Sequence, residues 1–245
     1  MGKVFAVLYG LVNHVVFLGV FLYIICFLGN SGSLVPKTVD SGTPGPVGTA
    51  LLVNIFLWVL FGVQHTLMAR PRFKQWWTGI VPKHLERSTY VLISNLLMIL
   101  ILWQWQPMTG VVWEVQSPLG KNVLWALFFL GFGLVVLSSL ILDHFDLLGT
   151  RQVILYAMGR PYTATPLKVV GFYKFVRHPL LLGWMIGFWS TPRMTTGHLV
   201  FAITTTAYIL LAIHYEEKDL ATVHGEPYRN YRERVSMIIP FLDRR

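Results

Sequence analysis

The chain has 245 residues, 54% of them hydrophobic and 13% charged, with a formal net charge of +9 and a mean hydropathy of +0.57. A soluble domain carries about 25% charged residues, so this composition excludes an ordinary soluble enzyme and puts the chain in the membrane class. The single cysteine, Cys26, excludes an internal disulfide and a cysteine-based structural zinc site, and its apolar surroundings mark it as a packing residue.

A spanning helix needs about 20 mostly apolar residues. Four segments meet this in order, at 4–28, 50–69, 90–105 and 122–142. The first follows Lys3 and is too long for a signal core, so it reads as a retained span. Residues 30–48 are rich in Gly, Ser and Pro and read as an external loop. Residues 70–87 contain Pro71, Trp76, Trp77 and Pro82, which predicts a short interfacial helix. The third span is short and ends in Trp103 and Trp105. A fifth apolar region, 180–213, is interrupted at Thr191-Pro192-Arg193. Its first half, about 12 residues, is too short for a full crossing, which predicts a hairpin with one short limb. The expected fold is all-α. It is one polytopic membrane bundle over 1–245, with five to six transmembrane helices, a C-terminal hairpin and a cytosolic cap of short helices. Residues 1–142 form its four-helix portion and 143–245 its hairpin and tail.

Charge placement orients the bundle. All Lys and Arg residues except Lys37, Lys121 and Arg193 fall in the segments 1–3, 70–87, 143–177 and 214–245. The positive-inside rule then predicts both termini in the cytosol and an even number of crossings. Five crossings remain open if the short limb is re-entrant. The net positive charge is this topology signal and suits anionic lipid headgroups. It calls for no nucleic-acid partner, and nothing calls for an obligate protein partner.

Polar residues at the ends of the apolar segments carry the chemistry. The fourth span runs into Asp143-His144-Phe145-Asp146, followed by Gly149, Arg151 and Gln152. If the helix continues to Asp146, Asp143 and Asp146 share a face, and the group orients a cationic ligand or deprotonates a weak acid. The other reading is a helix end with ordinary interfacial polar residues. Acidic groups there oppose the helix dipole. The second group is Arg177-His178-Pro179 with Gly183. Pro179 suits the first turn of a helix, which places Arg177 and His178 beside unpaired backbone donors, a corner suited to a carboxylate. Gly183 admits the close approach of another backbone or a ligand. Snorkelling to headgroups is the plainer alternative for Arg177. The third group is Glu216 and Glu217, then Tyr228, Tyr231 and Arg232. Adjacent glutamates after an apolar span need a positive partner, and Arg177 or a cationic ligand supplies one. The tyrosines and Arg232 share a helical face. A helix lying on the membrane surface is the alternative here. Among the remaining histidines, His14 and His65 lie in spans. His65 with Gln64 reaches a substrate pocket or fills a packing role. No paired-ligand motif appears, so no metal is expected.

The order Arg177-His178-Pro179 with Gly183, an apolar hairpin, Glu216-Glu217 with Leu220, then Gly225, Tyr228, Tyr231 and Pro240 resembles the isoprenylcysteine carboxyl methyltransferase superfamily. The match covers the C-terminal third and is specific as a set. Along the whole chain, including Asp143 to Gln152, the resemblance is to members that methylate small thiols. It implies S-adenosylmethionine as cofactor in a core within 143–245. It places Arg177, His178, Pro179, Gly183, Glu216, Glu217, Tyr228, Tyr231 and Arg232 on the cofactor. It implies methylation of methanethiol to dimethyl sulfide and of hydrogen sulfide to methanethiol, at the cytosolic face of a bacterial inner membrane. Asp143, His144 and Asp146 are then the candidate catalytic residues, with Arg151, Gln152 and His65 on the substrate side. Two positions depart from the pattern: Leu181, where the superfamily often has Tyr, and Ser236, where it often has Pro. Carboxyl methylation of a lipidated substrate, NADPH-dependent reduction, and a non-catalytic role like that of the NnrU-like proteins remain open beside this.

Overall fold

The computed structural model describes residues 2–240; Met1, Arg244 and Arg245, part of the charge pattern above, lie outside them. Among the described residues five helices are long and apolar enough to cross a membrane: α1 (Gly2–Leu28), α2 (Val47–Ala69), α4 (Lys83–Gln104), α5 (Pro118–Leu142) and α9 (Thr196–His224). Between them lie α3 (Pro71–Trp77), α6 (His144–Leu147), α7 (Thr150–Ala157), α8 (Pro179–Trp189) and α10 (Glu226–Arg234). Two short strands, β1 (Val111–Glu114) and β2 (Arg193–Thr195), pair with each other. The fold is therefore nearly all-α, as expected. Large apolar side chains such as Phe5, Leu52, Phe56, Phe129 and Leu130 are exposed along the long helices, as suits surfaces that face lipid.

The element boundaries follow local chemistry. Pro71 and Pro118 each occupy the first turn of their helix, and Ser117 caps α5 by accepting from the Gly120 amide. Pro82 precedes α4. This third span is longer than the apolar run at 90–105, because its first two turns carry Lys83, His84, Glu86 and Arg87 and so hide in a hydropathy reading. The fourth span does not continue to Asp146. It ends at Leu142, and Asp143 adopts a left-handed conformation with φ 110°, so Asp143 and Asp146 do not share one helical face. A non-glycine residue there is strained by roughly 1–2 kcal/mol. The Lys168 Nζ donates to the carbonyls of Ile141 and Leu142, satisfying groups that the helix end leaves open.

The chain forms two compact units. The first comprises Met1–Gly110, His144–Ala164 and Thr195–Val200. Within it α4 packs on α1, α2 and α7, and α1 on α7. Gly10 lies under Val153, where a Cβ would come within 2.5 Å of Val153 Cγ2. Gly149, at φ +88°, lies against Ser88, where a Cβ would meet the backbone nitrogen at 2.5 Å. Only glycine satisfies both the angle and the space. Arg87 Nε donates to the Leu147 carbonyl at 2.7 Å, fixing α6 to α4.

The second unit comprises Val111–Asp143, Thr165–Met194 and Phe201–Arg245. Its centre is the α5–α8 pair. Gly183 and Gly187, one turn apart on α8, meet Gly131 on α5. A Cβ on Gly131 would lie 2.5 Å from the Gly187 nitrogen, and one on Gly183 would lie 2.6 Å from the Gly131 oxygen. Small residues four apart let two membrane helices touch backbone to backbone. The close approach expected at Gly183 is thus made by α5. Phe132 packs edge-on against Trp184 beside this contact. The 11 residues of α8 rise about 16 Å, against a hydrocarbon core of about 30 Å. The hairpin accordingly has one short limb and one long one, as the break at Pro192 indicated.

Candidate active site

The second unit assembles most of the residues singled out for a cofactor. Arg177 is buried just before α8. Its Nε donates to Glu217 Oε1 at 2.7 Å, and its Nη1 donates to the carbonyls of Arg232, at 2.9 Å, and Val235. His178 Nε2 lies 3.1 Å from the same Glu217 oxygen, and His178 Nδ1 is 3.8 Å from Glu216 Oε2. The main chain joins the same knot: the Arg177 and His178 amides donate to the carbonyls of Ser236 and Met237, and Val176 bridges to Ser236. One guanidinium thus ties together the start of α8, the late turns of α9 and the segment after α10. Nη2 of Arg177 and the second oxygen of Glu217 are not used in these bonds.

The tyrosines close one side. Tyr231 donates its hydroxyl to the Tyr173 carbonyl at 2.6 Å, and Tyr228, Tyr231 and Val235 form one buried cluster with Leu167, Leu220 and Ala221 around it. Burial pushes the Tyr231 phenol up to about 12, so it remains a donor at neutral pH. Burial, and then Glu217, raises Tyr228 above its ordinary range as well. Tyr228 is 1% exposed, and its hydroxyl has no hydrogen-bond partner among the described residues. An orphaned buried hydroxyl costs about 1–3 kcal/mol and calls for an explanation. Arg232 contributes its carbonyl to the knot, while its side chain is exposed. Pro179 opens α8, and Glu216 is half exposed beside His178.

The first unit holds His144, Asp146, Arg151 and Gln152. Asp146 Oδ1 accepts from Arg151 Nη1 at 2.9 Å and from Gln152 Nε2 at 3.2 Å, and its Oδ2 accepts from the Tyr162 hydroxyl at 3.2 Å. Arg151 also donates to the carbonyl and hydroxyl of Thr163 and lies over the Tyr162 ring. This pins the loop after α7. His144 packs edge-on against His14 with centroids 5.0 Å apart, and His14 Nδ1 is 3.0 Å from Thr150 Oγ1. Asp143, at the end of α5, belongs to the second unit. Asp143→Gly is expected to raise stability by roughly 1 kcal/mol, by relieving the left-handed strain. Thermal unfolding of the detergent-solubilised protein checks it; a lower midpoint would show that the carboxylate holds the turn together.

Sequence reasoning did not single out Tyr173, Tyr162, His14 or the carbonyls of Val235, Ser236 and Met237. Tyr173 stands four residues before Arg177, a spacing that flags it only once the tail is known to return there. The carbonyls carry no sequence signal.

No family model matches the chain. Methanethiol S-methyltransferase of Mycobacterium tuberculosis is 46% identical over 241 residues, covering 98% of this chain and 98% of that protein. Methanethiol S-methyltransferase of Crocosphaera subtropica is 45% identical over 245 residues, covering 100% and 95%. More distantly, nurim of Mus musculus is 28% identical over 191 residues, covering 74% and 71%. Identity at this level along essentially the full length shows that the chain belongs to the methanethiol S-methyltransferase family.

Proposed function

We propose that the chain transfers a methyl group from S-adenosylmethionine to a small thiol, converting methanethiol to dimethyl sulfide and hydrogen sulfide to methanethiol. The full-length kinship with proteins of that name supports the reaction. The observation that carries the choice of methyl donor is the buried Tyr228 hydroxyl, without a partner among the described residues, amid charged groups of both signs. A ligand with ribose hydroxyls, an ammonium group and a carboxylate suits that set. Glu216 and Glu217 would face its cationic part, Arg177 and His178 its carboxylate, and Tyr228 and Tyr231 its nucleoside, with Arg232, Pro179 and Gly183 shaping the surround.

When bound, S-adenosylmethionine supplies a methyl group on a positively charged sulfur. The chain's own task is to present a thiolate. We assign the proton to His144, oriented by Asp143. Asp146 already serves Arg151, Gln152 and Tyr162, so its part is to hold Arg151 and Gln152 in place on the substrate side. Excluding water favours the step, because the attacking and departing groups bring opposite charges together and lose both. In-line positioning contributes the rest.

We place the protein in a bacterial inner membrane, with the site and both termini on the cytosolic side. The distribution of Lys and Arg supports this, as does the pairing of β2 with β1, which follows α4 in the chain and precedes α5. That pairing suits a hairpin turn on the side of the α4–α5 connection, and with it an even number of crossings. We read residues 1–245 as one membrane methyltransferase domain.

Headspace detection of dimethyl sulfide from purified protein, methanethiol and S-adenosylmethionine tests the reaction; no product, with NADPH-dependent reduction of an added sterol instead, would replace it. Asp143→Ala is expected to lower the methylation rate at least tenfold while leaving calorimetric affinity for S-adenosylmethionine within about twofold, a barrier change of about 1.4 kcal/mol. The reverse order of effects would remove Asp143 from the thiol side.

A further inference from the structure

The polar start of α4 holds a guanidinium that the assignments above do not use. Arg87 lies in the second turn of the helix and is half-buried, while Lys83, one turn earlier, is exposed. Two contacts fix Arg87. Its Nε donates to the Leu147 carbonyl at 2.7 Å, and its Cζ lies over the Tyr90 ring, 4.9 Å from the centroid. The Tyr90 ring is held in turn by the His65 ring, at 4.9 Å, and His65 Nδ1 lies 3.0 Å from Ser94 Oγ. A guanidinium has five N–H groups and no acceptor. One is used on Leu147. Those on Nη1 and Nη2 have no hydrogen-bond or ion partner among the described residues.

Arg151 and Arg177, held as firmly, each face a carboxylate, Asp146 and Glu217. Glu86 does not serve Arg87, since adjacent residues of a helix point to different faces. Burial, and then Asp146, holds the Tyr162 phenol above its ordinary range against the pull of Arg151 and Arg87, so both guanidiniums stand within electrostatic reach of this hydroxyl. The neighbourhood thus sets two guanidiniums against one carboxylate, and Asp146 already serves Arg151, Gln152 and Tyr162. All of these residues belong to the first unit. A planar, weakly hydrated fork fixed at its base, with its outer edge unpaired, suits an anion.

We infer that Arg87 captures hydrosulfide, the ionised form of hydrogen sulfide, through its two Nη groups. The inference rests on the thiol methylation proposed above and deepens it, because it separates the two substrates by charge and by route. Hydrogen sulfide is ionised in part at neutral pH, and methanethiol hardly at all. Methanethiol dissolves in lipid and needs no charged seat. Hydrosulfide is excluded from lipid by its charge and arrives from water, which the polar first turns of α4 meet. The capture moves no proton: hydrosulfide has already lost to water the one that a neutral thiol gives to His144. Methanethiol, the product formed from sulfide, is neutral and does not compete for the seat.

Arg87→Gln keeps an amide donor but loses the charge. In detergent, its KM for sulfide is expected to rise roughly tenfold or more, the effect of losing a hydrogen bond to a charged group. The KM for methanethiol and the calorimetric affinity for S-adenosylmethionine should stay within about twofold. Loosened packing would instead raise both KM values together. Arg87→Lys keeps the charge and should recover most of the sulfide affinity. Calorimetry of sodium hydrosulfide with cofactor-free wild-type protein, without oxygen, should show binding that Arg87→Gln weakens by the same factor. An unchanged sulfide KM, or equal losses for the two substrates, overturns the inference. So does wild-type protein that binds inorganic phosphate more tightly than hydrosulfide, which would make the fork a headgroup site. Should Arg87→Gln fail to fold, sodium thiocyanate decides on wild-type protein: this small anion should compete with sulfide and not with methanethiol, and competition with both or neither overturns the inference. A protein that makes neither methylated product removes the proposed function, and the calorimetry then decides on Arg87 by itself.

Discussion

Glu217→Ala is expected to abolish binding of the proposed cofactor, S-adenosylmethionine, and to lower stability by about 3–5 kcal/mol, while the protein still inserts; this is the largest effect expected from any single change. The magnitude follows from what remains. Arg177 has a side chain only 2% exposed and Glu217 one 12% exposed, at 2.7 Å, and removing one partner of a buried pair strands the other charge. The two carbonyls that also accept from Arg177 soften this loss without supplying a negative charge. His178 loses the same oxygen. Glu217→Gln retains an acceptor and should fall between. Arg177→Ala should lose the cofactor equally, since it also unties the carbonyls of Arg232 and Val235. Calorimetric titration and thermal unfolding of the detergent-solubilised variants measure both effects. Unchanged affinity in either alanine variant would reject this site.

Gly183→Val comes second. A Cβ at this position meets the Gly131 oxygen at 2.6 Å and the Val135 nitrogen at 2.9 Å, both on α5, and neither backbone atom can swing aside. The expected cost is roughly 3 kcal/mol, read as a lower unfolding midpoint or loss of monodisperse protein. Gly133, on the partner helix α5, supplies the control. A Cβ there meets nothing within 4 Å, so Gly133→Ala should stabilise by about 0.5–1 kcal/mol. Equal behaviour of the two would mean that α5 and α8 do not touch at their glycines.

The spans were legible in the sequence because apolar length is a direct requirement of crossing lipid. The short limb of the hairpin was legible for the same reason, from Pro192 and Arg193. The start of α4 was not, since Lys83 to Arg87 belong to a helix whose first turns are polar. The end of α5 at Leu142 was legible as the end of the apolar run, but the turn after it was not: a left-handed aspartate is unusual, and nothing in Leu142-Asp143-His144 announces it. In the site, Arg177, Glu217, Tyr228 and Tyr231 stood out by type and spacing. What Arg177 does with its hydrogens did not, because its carbonyl partners at Arg232 and Val235 are groups that every residue carries. The pairing of His65 with Ser94 was hidden too, since 29 positions separate them and a serine in a span attracts no notice until its neighbour is known.

The helix α9 is unbroken over 29 residues, a rod of roughly 43 Å, longer than a hydrocarbon slab of about 30 Å. Its overhang carries Glu216 and Glu217, so the height and bearing of these carboxylates are set by the count of residues beneath them. One residue added or removed anywhere below would swing both by about 100°, turning Glu217 away from Arg177 without altering either side chain. Evolution can therefore exchange residues freely on the lipid-facing side of this rod, yet it has almost no freedom to change its length.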